Sequence, residues 1–327
     1  MLCTFFIICF VGSILLGRYS VEPVTLVKIL LSRVVSIERT WDAAAETVVL
    51  VNRLPRLAAA ALIGAALPVA GAAFQGMFRN PMVSPDILGA TSGAGFGAAL
   101  AILLGLPYLF ISTISFIIGL AAVLLAYALS RASRINTTLS MVLAGMMTSS
   151  VFTSATSLIK LLADTDEALP AITYWLMGSI SSVRQGDLLF LAVPILAGIC
   201  VITLLSWRIN LLTLSDEEAE SMGVNANRLR TVVVLCATLM TASSVAVSGL
   251  IGWVGLVIPH FARLIFGYDY RRLIPASAVL GATFLIVVDD AARLISTREI
   301  PLGILTSFIG APVFVWLILT GGARRGN

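Results

Sequence analysis

LTLSDEEAESMGVNANRLR, the stretch from Leu212 to Arg230, is the polar interruption around which this chain is organised. It separates two long apolar runs and contains a cluster of four acidic side chains. Ser215 is a favourable helix N-cap, Glu218 completes a capping box, and the acidic side chains face the positive end of the helix dipole. Gly223 offers a left-handed stop, and Asn225 can cap the following helix. The stretch predicts a short, bounded helix in water between two membrane helices.

Two interpretations of this helix are open on the residues alone. It is an ordinary solvated loop, since runs of charge commonly mark a solvent-exposed face, or it is a docking element for a soluble partner. A simple connection would need only a few polar residues, so the rest of the chain has to decide between them.

The composition is typical of a multi-pass helical membrane protein. Apolar residues make up 59% of the 327 positions and charged residues only 12%, whereas a soluble domain carries about a quarter charged residues. Mean hydropathy is +1.02. The apolar runs are continuous over about 18 to 24 residues, which predicts membrane-spanning helices rather than barrel strands. The net charge of +4 is attributed to cytoplasmic loops rather than to nucleic-acid binding.

The apolar runs predict about ten spans in one transmembrane domain over residues 1–327. Met1 to Gly17 lacks a basic leader and an A-x-A cleavage site, so we interpret it as the first membrane helix rather than a signal peptide. Leu26 to Ile37 has helical apolar spacing and is expected to lie along the membrane surface. The remaining spans are expected at Leu57–Gln75, Leu88–Leu104, Pro107–Ser130, Leu139–Leu162, Leu188–Trp207, Thr231–Leu250, Ile251–Phe266, Ile274–Ile295 and Pro301–Thr320.

Charge predicts the orientation, because cytoplasmic loops are enriched in arginine and lysine. With both termini in the cytoplasm, the stretch from Leu212 to Arg230 is cytoplasmic too. The segment from Arg18 to Arg56 disagrees, since it places six basic and four acidic residues outside. The outer face otherwise holds Asp164, Asp166 and Glu167. The cytoplasmic loops hold Arg79, Arg131, Arg134, Arg208, Arg228, Arg230, Arg271, Arg272, Arg324 and Arg325.

Two glycine- and proline-rich features go beyond generic membrane helices. Gly89, Gly93 and Gly97 recur every fourth residue, a spacing that lets helices approach closely, so packing is the expected role. RNPMVSPDILG, from Arg79 to Gly89, holds two prolines that do not fit a helix interior. It predicts a rigid cytoplasmic turn, and a gate or a plain connection are both compatible with it.

Asp289 and Asp290 stand near the outer end of a span, and an Asp at position i can pair with Arg293 at position i+4. Charged residues within the membrane are functional candidates by default. A structural ion pair is the alternative interpretation.

Several kinds of catalytic chemistry lack the residues they need. His260 is the single histidine, which excludes a multi-histidine metal site. No P-loop and no G-x-S-x-G motif occur, and the four cysteines lie in apolar spans without paired spacing. Asp269 stands in a basic loop, which is wrong for an intramembrane aspartyl protease pair with Asp289. We therefore expect neither an enzyme nor a metal or cofactor bound by this chain.

Taken together, the motifs resemble the permease subunits of ATP-binding-cassette (ABC) importers for iron–siderophore complexes, haem and cobalamin, the FecCD type. The resemblance covers Arg53 to Gly321. In chain order, the motifs are RLPR from Arg53, GAALPVAGAAFQGMFRNPMVSPDILG from Gly64, GATSGAGFG from Gly89, LAG from Leu143, YWLMGSI from Tyr174, SDEEAESMGV from Ser215, GLIGWVGLVIPHFARLIFGYDYRRLIP from Gly249, DDAARL from Asp289 and PLGILTSFIGAPVFVWLIL from Pro301.

The resemblance implies an all-α type II ABC importer permease in the bacterial plasma (inner) membrane. Two permease subunits, usually identical, surround a translocation path, and two cytoplasmic ATP-binding subunits carry the ATP and Mg. The short helix resembles the coupling helices that dock on those subunits, which favours the docking interpretation. The coupling residues implied in this chain are Ser215, Glu217, Glu218, Ala219 and Gly223, with His260 and Arg263 close to the same surface.

On the outer face, the resemblance implies a periplasmic or lipid-anchored substrate-binding protein whose glutamates meet arginines of the permease. The matching positions here are Arg53, Arg56 and Arg293, and arginine suits the role because its fork binds carboxylates in a bidentate way. Asp289 or Asp290 would hold Arg293 in place.

A cytoplasmic gate is implied at Asn80 with Met82 and at Thr137 with Thr138. Met82 replaces the leucine usual in the family, which conserves volume.

The sequence thus predicts a permease that imports a metal chelate by alternating access. A ferric siderophore is favoured, and haem and cobalamin are compatible. The leading alternative is a proton-coupled secondary transporter that uses Asp289 and Asp290 as a relay. An intramembrane enzyme is the other alternative, and no nucleophile–base set supports it.

Overall fold

The computed structural model describes residues 1–17, 19–33, 35–36, 38–133, 137–296 and 299–323, in which all regular structure is helical. Ile37, Arg134, Arg324 and Arg325, which the sequence-based predictions used, lie outside these residues, as does Arg18. The helices are α1 (Leu2–Leu15), α2 (Pro23–Leu31), α3 (Ala43–Thr47), α4 (Leu54–Met77), α5 (Ala90–Leu103), α6 (Tyr108–Ala132), α7 (Thr137–Leu162), α8 (Ala168–Leu176), α9 (Gln185–Leu212), α10 (Asp216–Ser221), α11 (Ala226–Ser248), α12 (Val254–Phe266), α13 (Tyr270–Leu294) and α14 (Leu302–Ala323).

Six helical segments among the described residues are long and apolar enough to cross a membrane: Ala43–Met77, Tyr108–Ala132, Thr138–Leu162, Gln185–Leu212, Ala226–Ser248 and Tyr270–Leu294. Four shorter apolar helices accompany them, at Leu2–Leu15, Ala90–Leu103, Val254–Phe266 and Leu302–Trp316. Each predicted span therefore has a helical counterpart, while ten membrane crossings stay a prediction.

The largest departure from the predicted boundaries lies before α4. The second span was expected to begin at Leu57, but the chain is already helical from Ala43, and the π-helical turn Val48–Arg53 joins α3 to α4 without a break. The short helix α8 was also not predicted. The span expected from Ile251 begins three residues later, at Val254, because the φ of 69° at Trp253 lies outside the helical region.

Helices α4, α11 and α13 form the centre of the bundle, because they bury most of their apolar windows, whereas α6, α7 and α9 leave most of theirs exposed. Close backbone approach holds this centre together. A Cβ placed on Gly64 of α4 would lie 2.5 Å from the carbonyl oxygen of Gly281 on α13. Only glycine fits at such a crossing, in agreement with small-residue packing between membrane helices.

The predicted packing role of the glycine repeat is confirmed for two of its members. A Cβ on Gly93 would lie 2.5 Å from the Cβ of Ala122, and one on Gly97 would lie 2.8 Å from the carbonyl oxygen of Ile114, both on α6. Gly89 differs, because it precedes α5 as a left-handed N-cap with φ of 88°.

The bundle has two ends, which we name from their residues. At the α10 end, the side chain of Asn210 on α9 contacts Asp269 and the backbone of Tyr270, where α13 begins. At the arginine end, the start of α4 meets the last turns of α1 and α13 through Arg53 and Arg56.

Candidate coupling and docking sites

The predicted capped helix is present at the α10 end. Ser215 Oγ accepts a hydrogen bond from the Glu218 N–H at 3.2 Å, and Glu218 Oε2 accepts one from the Ser215 N–H at 2.9 Å. The Glu218 carboxylate accepts from the backbone N–H of Ser215 and, at 2.8 Å, from the Ser215 hydroxyl, and these two bonds, the backbone one first, hold the pKa of Glu218 below its usual range. The capping-box prediction is therefore confirmed.

The two faces of α10 differ in exposure. Ala219 is buried against the bundle, while Glu217 and Glu220 are exposed. Gly223 ends the turn with φ of 81°, and a side chain added there would meet nothing within 4 Å. Asn225 Oδ1 accepts from the Arg228 N–H at 2.9 Å and caps α11, as predicted. The helix thus presents acidic side chains and an open glycine to solvent.

A three-residue ion cluster, which sequence reasoning missed, fixes α10 to the bundle. Asp216 accepts two hydrogen bonds of 2.7 Å from the guanidinium of Arg230 on α11 and one of 2.6 Å from Arg79, which follows α4. Arg230, and then Arg79, hold the pKa of Asp216 below its usual range. No short-range pattern signals this cluster, because Arg79 is 137 residues from its partner.

The other predicted coupling residues lie on α12, which packs mainly on α4, α13 and α14 rather than on α10. His260 is half-buried, and Arg263 has 8% exposure. Arg263 lies one turn before Gly267, where α12 ends. The structure therefore brings these two residues toward the α10 end of the bundle without joining them to α10.

The predicted gate residues lie around the same end. Asn80 and Met82 are exposed, and Asn80 Oδ1 accepts a hydrogen bond of 2.9 Å from the Met82 N–H. Thr137 begins α7, and its side chain lies outside the described part. Thr138 lines a cavity of about 520 Å³ together with Arg79, Ser215, Asp216, Glu217 and Arg230. One predicted gate residue thus shares a cavity with the coupling helix.

At the opposite end, the three predicted docking arginines line one cavity of about 370 Å³, which Tyr19, Asn52 and Glu299 also line. Their guanidinium groups are held by internal partners. Arg53, 5% exposed, donates to the carbonyl oxygen of Ile14 at 2.7 Å and to that of Tyr19. It therefore anchors the end of α1 to the start of α4.

Arg56 is held between two carboxylates. Its Nε donates to Asp289 at 2.9 Å, and its Nη1 contacts both oxygens of Glu299 at 2.9 and 3.0 Å. Asp289 is fully buried, and its other oxygen lies 3.2 Å from Arg293 Nε, so the predicted i,i+4 pair is confirmed. Glu299, with 34% of its side chain exposed, is the more accessible carboxylate.

Arg293 completes this network. It pairs with Asp290 as well as with Asp289. Its Nη2 also donates a hydrogen bond of 3.1 Å to the hydroxyl oxygen of Ser13. Ser13 in turn donates to Asp290 at 2.5 Å. Three arginines and three carboxylates therefore meet here. Asp289 and Asp290 both form ion pairs with arginine, as the structural interpretation of these two residues requires.

An exposed hydroxyl stripe runs along α7, and sequence reasoning missed it. Ser150, Thr153, Ser154 and Ser157 follow one another at helical spacing and are exposed. The first three line a cavity of about 420 Å³ with Asp86, Ile87, Met146 and Ser149. The sequence does contain a signal for this stripe, because its serines and threonines recur every three or four residues within an apolar span.

Within the residues that the structure describes, no group of three or more His, Cys, Asp or Glu side chains is arranged to hold a metal ion.

The apolar helices, six of them long enough to cross a membrane among the described residues, define a class: a multi-pass helical membrane protein. The comparisons with known proteins then identify the family. The chain belongs to the FecCD transport family, whose model matches residues 5–320.

Relatives named for the import of different substrates are similar to this chain over most of their length. The molybdate import system permease protein MolB of Haemophilus influenzae is 40% identical over 324 residues, covering 98% of this chain and 95% of the relative. The hemin transport system permease protein HmuU of Yersinia pestis is 38% identical over 284 residues, covering 84% of each. A solved inward-facing chain of a metal-chelate type ABC transporter is 38% identical, with a TM-score of 0.87 over 98% of this chain and 97% of that one.

Proposed function

We propose that this chain is the membrane permease of an ATP-driven importer in the bacterial plasma membrane, with both termini in the cytoplasm. It works with a second permease subunit, proposed to be a second copy of this chain, and with two cytoplasmic ATP-binding subunits. ATP and Mg are bound and ATP is hydrolysed on those subunits. Family membership over residues 5–320 supports this assignment.

The capped helix α10 is the observation that carries the proposal. A six-residue helix with a complete capping box and exposed acidic side chains is more than a connection between α9 and α11. Glu217, Glu220 and Gly223 face solvent, while Ala219 seats the helix on the bundle. This arrangement suits insertion into a cleft on a soluble subunit, and the half-buried His260 and the buried Arg263 are proposed to contribute from α12, near the same end of the bundle.

The test is co-purification with the ATP-binding subunit encoded beside this chain. Glu217→Lys together with Glu220→Lys reverses two exposed charges and leaves the capping pair of Ser215 and Glu218 intact, so loss of the complex from a folded variant is expected. Glu22→Lys, at an exposed position before α2, is the matched control and should keep the complex. An unchanged complex in the double variant would place the coupling surface elsewhere.

A substrate-binding protein is proposed to dock at the arginine end through acidic side chains. Arg56 and Arg293 line the cavity there, and Glu299 is the exposed carboxylate that already occupies Arg56. A docking carboxylate would compete with Glu299, so Glu299→Gln is expected to tighten binding of that protein. Weaker binding in this variant would count against docking at Arg56.

The path is proposed to run along the hydroxyl stripe of α7 toward Asn80, Met82, Thr137 and Thr138. Hydroxyls on a lipid-facing surface would lose hydrogen bonds to water, so an aqueous path between two permease subunits accounts better for the stripe. Apolar side chains exposed on α14, such as Phe308 and Val315, are then covered by lipid or by the second subunit.

A ferric siderophore is the proposed substrate, within the wider class of metal chelates. Molybdate is the second candidate, because the relative named for molybdate import matches 98% of this chain. Uptake of radiolabelled ferric siderophore and of radiolabelled molybdate into vesicles that contain the complete importer separates the two. Haem and cobalamin are tested in the same assay.

A proton-coupled secondary transporter is the alternative function. It requires Asp289 or Asp290 to exchange protons, whereas each contacts an arginine. Uptake that follows a proton gradient without ATP or a partner subunit would favour this alternative.

A further inference from the structure

Asp216 links α10 to two separate parts of the bundle. Its contact with Arg230 is bidentate, and Arg230 is 3% exposed on α11, so this side of the contact is fixed. Its contact with Arg79 is a single ion pair of 2.6 Å, and Arg79 is 40% exposed. The second contact therefore reaches from α10 to the connection between α4 and α5.

The backbone of Arg79 is held in an unfavourable conformation. Its φ of 53° lies in the left-handed region, which residues other than glycine adopt infrequently. The side chain is held by the carbonyl oxygen of Leu212, 3.0 Å from Nε, in addition to Asp216. The first contact comes from the last residue of α9 and the second from the first residue of α10, so Arg79 is tied to both sides of the short turn between these helices.

The connection that follows Arg79 is stiff. Gln75 Nε2 donates to the carbonyl oxygen of Val83 at 3.1 Å, and Asn80 accepts from the Met82 N–H. Two prolines, at positions 81 and 85, restrict the backbone further. A displacement at residue 79 is therefore transmitted along the connection rather than absorbed within it.

The far part of this connection packs against α7 and α12 at backbone distance. A Cβ on Gly145 of α7 would lie 2.1 Å from the carbonyl oxygen of Ile87, and one on Gly255 of α12 would lie 2.4 Å from the ring of Pro85. Asp86 and Ile87 also form one wall of the hydroxyl-lined cavity on α7. The connection thus joins the α10 end to that cavity.

We propose that the Arg79–Asp216 ion pair transmits movement of α10 to the connection 79–89 and so to the hydroxyl-lined cavity of α7. Arg79 and Asp216 are then positioning residues for transport, and Arg230 fixes Asp216 from the opposite side. This inference rests on the proposed function, because it requires a partner that moves α10 when ATP binds.

The experiment measures cavity movement without knowledge of the substrate. Ser154→Cys places a thiol in the cavity of α7, in a chain whose Cys3, Cys9, Cys200 and Cys236 are replaced by serine or alanine. The permease is purified with its ATP-binding subunits and labelled with a charged maleimide, with and without ATP. ATP hydrolysis is measured on the same preparations.

Arg79→Asn is the informative variant, because asparagine tolerates a left-handed backbone and removes the cation. We expect ATP to change the labelling rate of the thiol severalfold in the parent protein, and this change to disappear in Arg79→Asn while ATP hydrolysis and the complex persist. Arg79→Lys keeps the cation and should restore part of the change. Arg271→Gln, which breaks an exposed ion pair within the start of α13, is the matched control and should behave as the parent.

Two results would overturn the inference in different ways. A full ATP-dependent change in Arg79→Asn would show that α10 moves the cavity without this ion pair, and would leave the proposed function standing. A parent protein that neither binds the ATP-binding subunits nor responds to ATP would overturn the proposed function together with the inference.

Discussion

Replacement of Asp289 by asparagine should weaken the fold at the arginine end. Asp289 is fully buried and contacts both Arg56 and Arg293. Removing one partner of a buried ion pair costs about 3–5 kcal/mol. Because Glu299 and Asp290 still neutralise the two arginines, we place Asp289→Asn at the lower limit, about 3 kcal/mol.

This free energy converts into a measurable shift of the melting temperature. An unfolding entropy of roughly 2.1 cal/mol/K per residue gives about 0.7 kcal/mol/K for this chain, so the Tm should fall by about 4 °C. Thermal unfolding of the purified permease, followed by tryptophan fluorescence, measures the shift. Glu299→Gln breaks a more exposed pair and should lower the Tm by less than about 1.5 °C, since such pairs contribute about 1 kcal/mol or less.

Equal melting temperatures for Asp289→Asn and the parent would refute the buried-pair argument. Uptake separates the remaining interpretations, because a structural carboxylate allows ATP-driven transport in a folded variant. If Asp289→Asn or Asp290→Asn folds normally but abolishes uptake, that result would support the proton-relay alternative.

Three further predictions follow from the packing and the charges. Gly64→Ala should destabilise the bundle by several degrees in Tm, since its Cβ would lie 2.5 Å from a carbonyl oxygen of α13, whereas Gly186→Ala, with nothing within 4 Å, should not; equal melting temperatures would contradict the packing. The pKa of Asp216 is lowered by its arginines, so the stability it contributes is present above its unfolded-state pKa and is lost only as pH falls through the lower folded value. Hydrogen-exchange protection of α10, corrected for intrinsic rates, should therefore be the same at about pH 7 and pH 5, and loss of protection at the lower pH would exclude the ion pair. Asn225→Ala removes the N-cap of α11 and should cost about 1 kcal/mol, measured as a small Tm loss that Asn225→Ser recovers.

Local features were predictable from the sequence, and this includes the element that carries the proposed function. The capping box of Ser215 and Glu218 and the pair of Asp289 and Arg293 each join residues three or four positions apart, where helix geometry fixes the distance. The apolar spans were predictable for a similar reason, because continuous apolar runs require no knowledge of tertiary contacts.

The contacts between residues far apart in the chain were not predictable from the sequence. Arg56 meets Asp289 across 233 residues and Glu299 across 243, so single-sequence patterns hold no information on their approach. The resemblance implied docking arginines at Arg53, Arg56 and Arg293, with an internal carboxylate partner expected only for Arg293, whereas the structure shows all three in contact with carbonyl or carboxylate oxygens. The helical stretch from Ala43 was missed although residues 43–51 are mostly alanine and valine, because the charged residues around it were taken to mark a segment outside the span.

The small size of α10 has a consequence for biogenesis. Isolated helices shorter than about 12 residues are marginal in water, and α10 has six residues. Its attachment depends on Arg79 and Arg230, which come from widely separated parts of the chain. We therefore expect α10 to form only after α4 and α11 have packed together during membrane insertion. Under the proposed function, a chain that inserts its spans without assembling them would present no formed helix to an ATP-binding subunit, so binding of that subunit would select correctly assembled copies.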